Sequence, residues 1–234
     1  MIIKVCGMRD ADNIREVTKL GIDMMGFDFH KDSPRYVYMI SSQAGIIPDY
    51  SKERLKKVTG KDNSQSSADQ IAQPSRVGVF VDEMPQTIVT RVYNYDLDYI
   101  QLQGSESRTM IENLKSTLVP DISPDIKLIK TLHITSASDL SSYKNYEGSV
   151  DMFMFDMSHE VPDGSREQTD WQLLEQYDGT TPFLLSGHIG PEDADRILNL
   201  RHPQFAGINL NSGFETEPGI KDVSKLRHFI SKLR

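Results

Sequence analysis

The sequence predicts a single α/β domain folded as a (β/α)8 TIM barrel. Three observations lead to this fold class. The length of 234 residues suits one barrel of this kind, although two domains are also possible. Short apolar runs alternate with helical segments, as is typical of parallel strands joined by crossover helices. Eight such runs can be counted, which favours a closed barrel over an open doubly wound sheet.

The predicted strands are runs rich in Val, Ile, Phe and Met, each short enough for one buried strand. They comprise Ile2–Cys6, Asp23–Phe29, Arg76–Val81, Tyr99–Gln103, Lys127–Thr131, Met152–Asp156, Pro182–Ser186 and Ala206–Leu210.

The helices between these strands are placed by polar start signals. Several begin with Ser, Asp or Pro, residue types that suit a helix start. The expected starts lie near Asp10, Ser41, Met84, Glu106, Ser136, Asp170, Pro191 and Lys221. A polar, Ser-rich stretch at about residues 59–74 interrupts the alternation. We expect a flexible insertion there, on the side of the barrel where insertions affect stability more than chemistry.

Composition limits the partners that the protein can have. The formal net charge is −8, from 34 acidic and 26 basic residues, and no basic cluster is suited to a nucleic-acid backbone. An anionic ligand must therefore be held by local cations and backbone N–H groups. No apolar run is long enough for a signal peptide or a membrane span. The single cysteine, Cys6, excludes an internal disulfide and fits the cytoplasm. We expect a monomer, because no exposed apolar stripe demands a partner.

Two polar residues at predicted strand ends are candidates for proton transfer. Cys6 ends the first strand, and Lys4 is a neighbouring cation that would favour its thiolate form. A lone cysteine is more often a small buried hydrophobic residue. Asp156 ends the sixth strand, where a carboxylate is either a turn residue or a catalytic acid. A base and an acid from different strands suit proton transfer at adjacent carbons of a sugar, which needs no metal and no redox cofactor.

Candidate anion-binding residues follow three other strands. Small residues after the last two strands, Ser186-Gly187 and Ser212-Gly213, let backbone N–H groups approach a phosphate. Ordinary turn glycines are the alternative for either loop alone. Arg35 follows a proline in the loop after the second strand, and its guanidinium can pair with a ligand carboxylate or stay solvated.

Several motifs together resemble the phosphoribosylanthranilate isomerases, a (β/α)8 family of tryptophan biosynthesis. The similarity covers essentially the whole chain, and the start Lys-x-Cys-Gly combined with Ser-Pro-Arg-Tyr is highly specific. The matching stretches include Lys4–Met8, Ser33–Val37, Arg76–Val81, Ile100–Gly104, Phe155–Asp156, Leu185–Gly187 and Asn211–Gly213.

The resemblance implies a reaction and a role for each candidate residue. The reaction is the Amadori rearrangement of N-(5-phosphoribosyl)anthranilate to 1-(2-carboxyphenylamino)-1-deoxyribulose 5-phosphate. Asp156 would protonate the ribose ring oxygen, Cys6 would remove the proton from C2, and Arg35 would hold the anthranilate carboxylate. No metal or other cofactor is implied. The other expected substrate-binding residues are Lys4, Gln103, Ser186, Gly187, His188, Asn209, Ser212 and Gly213.

The sequence also departs from the family pattern at the active face. Gln103 replaces a usual His, His188 replaces the second Gly of a phosphate loop, and Asn209 replaces an Asp. The loop 163–168 lacks the Gly-rich, Lys-bearing pattern, and Asp28 adds a charge to a strand. Two alternatives therefore stay open: an impaired barrel that still binds a phosphorylated ligand, and a sister aminoaldose isomerase of histidine biosynthesis. The latter branch uses Asp where Cys6 stands, which counts against it.

Overall fold

The computed structural model describes residues 1–40, 44, 73–160 and 166–234. Two predictions lie largely outside these residues: the helix near Ser41 and the polar insertion, of which only residues 73 and 74 are described. Residues 163–165 of the atypical loop are likewise not described.

Eight parallel strands close into one barrel, which confirms the predicted fold class. Each strand pairs with its neighbours in chain order, and the first pairs with the last, as the register of Lys4 with Asn209 records. In this order the barrel strands are β1 Ile2–Val5, β2 Met24–Asp28, β3 Ser75–Phe80, β4 Tyr99–Leu102, β5 Lys127–His133, β6 Met152–Asp156, β7 Phe183–Ser186 and β8 Phe205–Leu210. Every predicted strand overlaps one of these.

Helices lie between the strands, and polar caps fix several of their starts. Asp10, Ser107 and Asp222 each accept a hydrogen bond from the backbone N–H three residues later. The α-helices are Ala11–Thr18, Pro85–Tyr95, Arg108–Asp121, Ala137–Ser141, Ala194–Asn199 and Val223–Leu233, and the 3₁₀ helices are Ser142–Asn145, Trp171–Gln176, Pro191–Asp193 and Ser212–Phe214.

Two helix predictions differ from the structure. The segment after Asp170 forms only a 3₁₀ helix, with i to i+3 bonds such as that from the Leu173 N–H to the Asp170 carbonyl. The last helix begins at Val223 rather than near Lys221, because Ile220–Lys221 pairs with Glu215–Glu217 as a short hairpin. A second hairpin joins Ser158–Glu160 to Arg166–Gln168.

The alternation of side chains along each strand separates two cores. One face of each strand packs on the helices, as Phe153 and Phe155 of β6 do. The other face points into the barrel, where the lower layer contains Met24, Val77, Ile129, Met152, Met154 and Leu184. Every second side chain of a strand points into the barrel. The polar residues at the strand ends that follow this spacing therefore also point inward, above the apolar layer.

Candidate active site

A cavity of about 250 Å³ opens at the carboxyl ends of the barrel strands. All eight strands, or the residues directly after them, contribute side chains to its lining. Nine of the predicted site residues line it: Cys6, Arg35, Gln103, Asp156, Ser186, Gly187, His188, Asn209 and Ser212. The two others do not line it: Lys4 donates to the lining residue Asn209, and Gly213 follows the lining residue Ser212 in the chain.

The Cys6 thiol lies directly after β1, against a glycine of β2. Cys6 is 7% exposed, and its N–H donates to the Leu210 carbonyl at 2.9 Å. A Cβ atom on Gly26 would lie 2.6 Å from Cys6 Sγ and 3.1 Å from Lys4 Nζ. The thiol and the ammonium group therefore approach the same glycine, so the predicted proximity of cation and cysteine is present.

Lys4 reaches the cavity through a chain of hydrogen bonds. Its side chain is fully buried, and Nζ donates to Asn209 Oδ1 at 2.8 Å. Asn209 Nδ2 then donates to Ser186 Oγ at 3.0 Å. Lys4 is therefore placed to orient Asn209 and Ser186 rather than to line the cavity itself. The neutral amide of Asn209 can do both because its oxygen accepts the Lys4 hydrogen bond while its NH₂ group donates to Ser186.

Asp156 ends β6 and is held by two side chains. Ser158 Oγ donates to Oδ1 at 2.9 Å, and His133 Nδ1 lies 3.0 Å from Oδ2. Asp156 is 9% exposed, whereas the His133 side chain is half-exposed. The carboxyl group is thus fixed at the cavity wall and lies beside a solvent-accessible imidazole.

Arg35 lines the cavity but is already paired within the chain. Its Nε and Nη2 donate to the Glu215 carboxylate at 2.9 and 2.6 Å. Glu215 also accepts from Lys221 Nζ, and Lys221 donates to Asn211 Oδ1 at 2.8 Å. Glu215 therefore occupies the guanidinium edge formed by Nε and Nη2. The other edge presents one N–H from Nη1 and one from Nη2, and these two groups can donate to a ligand carboxylate.

Burial and pairing have opposite effects within this charged cluster. Burial raises the pKa of the Glu215 carboxyl, but hydrogen bonds from Arg35 and Lys221 outweigh it, so the net pKa lies below its usual value. The hydrogen bond to Glu215 raises the pKa of Arg35. Burial lowers the pKa of Lys221, and the bond to Glu215 opposes that shift. Glu215 is the anion that stabilises both cations.

Glycines in the loops after β7 and β8 pack closely against the backbone of neighbouring loops. A Cβ on Gly187 would meet the Met157 backbone at 2.6 Å, and one on Gly213 would meet the Ile189 carbonyl oxygen at 2.3 Å. Gly187 has φ +109° and the exposed His188 has φ +54°, so His188 adopts a left-handed conformation that is strained for a non-glycine residue. Both glycines therefore allow loop backbones to approach more closely than a side chain would permit, and the predicted approach of their N–H groups to a phosphate stays a prediction.

Two further polar groups occupy the cavity floor and rim. Gln101 of β4 is 2% exposed, and its Nε2 donates to Thr131 Oγ1 at 3.1 Å. Asp28 faces the cavity mouth, and one of its oxygens accepts the His30 N–H at 3.0 Å. The charge of Asp28 is thereby placed at the mouth rather than in the apolar layer.

Sequence reasoning missed His133, Gln101, Glu215 and Lys221 as polar groups of this region. His133 continues the inward row of Ile129 and Thr131, so extending β5 by two residues would have found it. The inward register of β4 would have found Gln101. No sequence signal connects Arg35 to Glu215, which lies 180 positions away.

The described residues include no cluster of three or more His, Cys, Asp or Glu side chains that could hold a metal ion. Among the same residues, no helix is both long and apolar enough to cross a membrane.

A closed eight-stranded barrel with a polar cavity at the strand carboxyl ends defines the chain as an enzyme of the (β/α)8-barrel class. Residues 39–232 match the family model for N-(5'phosphoribosyl)anthranilate (PRA) isomerase. The chain belongs to this family.

Two named relatives agree with this assignment, and two solved structures share the fold. The N-(5'-phosphoribosyl)anthranilate isomerase of Parabacteroides distasonis is 41% identical, over 100% of this chain and 93% of that protein. The one of Phocaeicola vulgatus is 38% identical, over 100% and 98%. The crystal structure of phosphoribosyl anthranilate isomerase from Thermotoga maritima superposes with a TM-score of 0.71 at 24% identity. The Thermus thermophilus enzyme gives 0.71 at 22%, and both alignments cover 100% of this chain and 98% of the other.

Proposed function

We propose that the chain catalyses the Amadori rearrangement of N-(5-phosphoribosyl)anthranilate to 1-(2-carboxyphenylamino)-1-deoxyribulose 5-phosphate in tryptophan biosynthesis. Family membership supports the reaction, and one structural observation supports the mechanism: Cys6 and Asp156 line the same cavity from β1 and β6. The required steps are proton transfers, for which an acid and a base suffice.

The first step opens the sugar ring. Asp156, in its protonated form, donates to the ribose ring oxygen, and the bond between that oxygen and C1 breaks as the anthranilate nitrogen forms an iminium. Hydrogen bonding with Ser158 and His133 keeps the carboxyl group oriented. An oriented acid avoids the entropic cost of positioning during the reaction.

The second step moves the proton on C2. The Cys6 thiolate removes this proton, which gives an enolamine that tautomerises to the ketone. Lys4 Nζ and the Cys6 thiol lie against the same glycine of β2, so Lys4 is placed beside the proposed base without lining the cavity.

The two anionic groups of the substrate suit different loops around the cavity mouth. The free edge of the Arg35 guanidinium suits the anthranilate carboxylate. Backbone N–H groups of the loops carrying Gly187 and Gly213 suit the phosphate, with hydroxyl groups from Ser186 and Ser212. His188, Gln103 and Asn209 complete the expected substrate-binding set.

The proposal is tested by mixing the purified protein with freshly made N-(5-phosphoribosyl)anthranilate and following the loss of its fluorescence. We expect turnover that Cys6→Ala or Asp156→Ala reduces by orders of magnitude. Asp125→Ala is the matched control, because Asp125 is exposed near the opposite end of the barrel, two residues before β5. Equal rates in the parent and both active-site variants would refute the assigned roles.

Absence of turnover in the parent would favour the impaired barrel that still binds a phosphorylated ligand. Retained binding of a reduced product analogue, the kind of ligand found in one solved relative, would identify that case. The cytoplasmic location and the monomeric state stay predictions from the sequence. Cell fractionation and light scattering would test them.

A further inference from the structure

Gln101 carries a polar atom that has no partner among the described residues. Its side-chain Oε1 is buried without a hydrogen bond, although Gln101 lines the cavity. Nε2 donates to Thr131 Oγ1 at 3.1 Å and to Gln103 Oε1 at 3.3 Å. Exchanging the oxygen and nitrogen of the side-chain amide would place Nε2, instead of Oε1, at the position without a partner. One polar atom of Gln101 therefore stays unpaired in either orientation of the amide.

An unpaired buried amide oxygen is unfavourable because it has lost its hydrogen bonds to water, and such groups are rare in folded proteins. A leucine of similar size at this position would avoid that cost. Sites that break a packing rule in this way are often sites that bind a ligand. Gln101 Oε1 lacks a hydrogen-bond donor, and a ligand bound in the cavity can supply one.

The position of Gln101 limits which part of the substrate can supply the donor. The loops after β7 and β8 suit the phosphate, and Arg35 after β2 suits the carboxylate. Gln101 lies on β4, in register with Val79 of β3 and Ile129 of β5. In the barrel order β4 lies opposite β8, so a ribosyl chain that extends inward from a phosphate at the loop after β8 points across the cavity floor towards Gln101.

We infer that Gln101 is a specificity-determining residue whose Oε1 accepts a hydrogen bond from a ribosyl hydroxyl of the substrate. The inference rests on the proposed function for the identity of the sugar. The terminal torsion of a glutamine is broad, so a small rotation exposes Oε1 to the cavity. The hydroxyl then fills the empty position, and a sugar without it leaves the amide unpaired.

The experiment compares Gln101→Leu with a matched variant outside the active cavity. Thr169 also has a buried hydroxyl without a partner among the described residues, and it does not line this cavity. Thr169→Val therefore removes an unpaired polar atom without changing the site. Two ligands are titrated into each protein: reduced 1-(o-carboxyphenylamino)-1-deoxyribulose 5-phosphate, which carries the sugar hydroxyls, and inorganic phosphate, which carries none.

We expect Gln101→Leu to weaken binding of the sugar analogue by about tenfold and to leave phosphate binding and Tm unchanged. Thr169→Val should leave both affinities within about twofold of the parent. Unchanged analogue binding in Gln101→Leu overturns the inference, and so does an equal loss for both ligands, which indicates a structural role. Turnover by the parent is scored separately, so failure of the proposed reaction remains distinguishable from failure of the role of Gln101.

Discussion

Arg35 and Glu215 form an ion pair that connects the loop after β2 to the hairpin after β8. Glu215 Oε2 accepts from Arg35 Nη2 at 2.6 Å, and the Glu215 side chain is 6% exposed. The Arg35 side chain also passes over Gly7, where a Cβ would lie 2.5 Å from Arg35 Cδ. Because both contacts restrict the guanidinium, Arg35 is held in one orientation before a substrate enters.

The ion pair predicts that Glu215 controls substrate affinity without lining the cavity. Glu215→Gln should raise KM by about tenfold, because the guanidinium loses the partner that orients it. Removing one member of a buried pair should also lower the free energy of unfolding by roughly 2–4 kcal/mol. Steady-state kinetics and urea unfolding measure the two effects. Unchanged KM with lowered stability would show that Glu215 has only a structural role.

The lowered pKa of Glu215 predicts a pH dependence of stability. A carboxyl group with a folded pKa below the unfolded value, about 4.3, stabilises the protein fully above that value. The contribution is lost as the pH falls through the folded pKa. The stability difference between the parent and Glu215→Gln should therefore be constant from about pH 6 to 8 and shrink below about pH 4. A difference that grows on acidification would contradict the assignment.

His188 predicts that the loop after β7 carries conformational strain. A non-glycine residue at φ +54° is disfavoured by about 1 kcal/mol, which glycine avoids. His188→Gly should raise the free energy of unfolding by about 0.5 kcal/mol, since the greater freedom of the unfolded chain offsets part of the gain. His188→Ala is the control, because it removes the imidazole and keeps the strain. A His188→Gly variant that is less stable than His188→Ala would exclude strain at this position, because the unfolded-state cost of glycine would then be unopposed.

The barrel and the positions of the proposed acid and base were predictable because both follow from local patterns. Apolar runs mark the strands, and a strand's last inward residue faces the cavity, which placed Cys6 and Asp156 correctly at its lining. The last two residues of β5, Leu132 and His133, were missed because the polar residues Thr131 and His133 end the apolar run. Lys130 is buried on the outer face beside Glu106 at 2.8 Å, which no local pattern indicates.

The partners of the site residues were not predictable, because they depend on contacts between distant segments. The Glu215 carboxylate meets Arg35 only because a hairpin folds back over the barrel mouth after β8. The same hairpin contains Lys221, which the sequence indicated as a helix start. The hydrogen bonds from Lys4 to Asn209 likewise require the first and last strands to be neighbours.

Gly26 gives the last prediction, which concerns the space around the proposed base. Gly26→Ala places a Cβ 2.6 Å from Cys6 Sγ and 3.1 Å from both Cys6 Cα and Lys4 Nζ, so the thiol must move. Overpacking of this kind should lower the free energy of unfolding by about 1–3 kcal/mol. Displacing the base should lower kcat by about tenfold or more, measured by the fluorescence assay.

Gly148→Ala separates the loss of stability from the loss of geometry at Cys6. Gly148 has φ +80°, and an added Cβ meets nothing within 4 Å, so alanine there adds backbone strain of about 1 kcal/mol and no overlap. It should lower stability while kcat stays at the parent value. If Gly26→Ala kept the parent kcat as well, the position of the thiol would be unimportant for turnover, and Cys6 would not be the base.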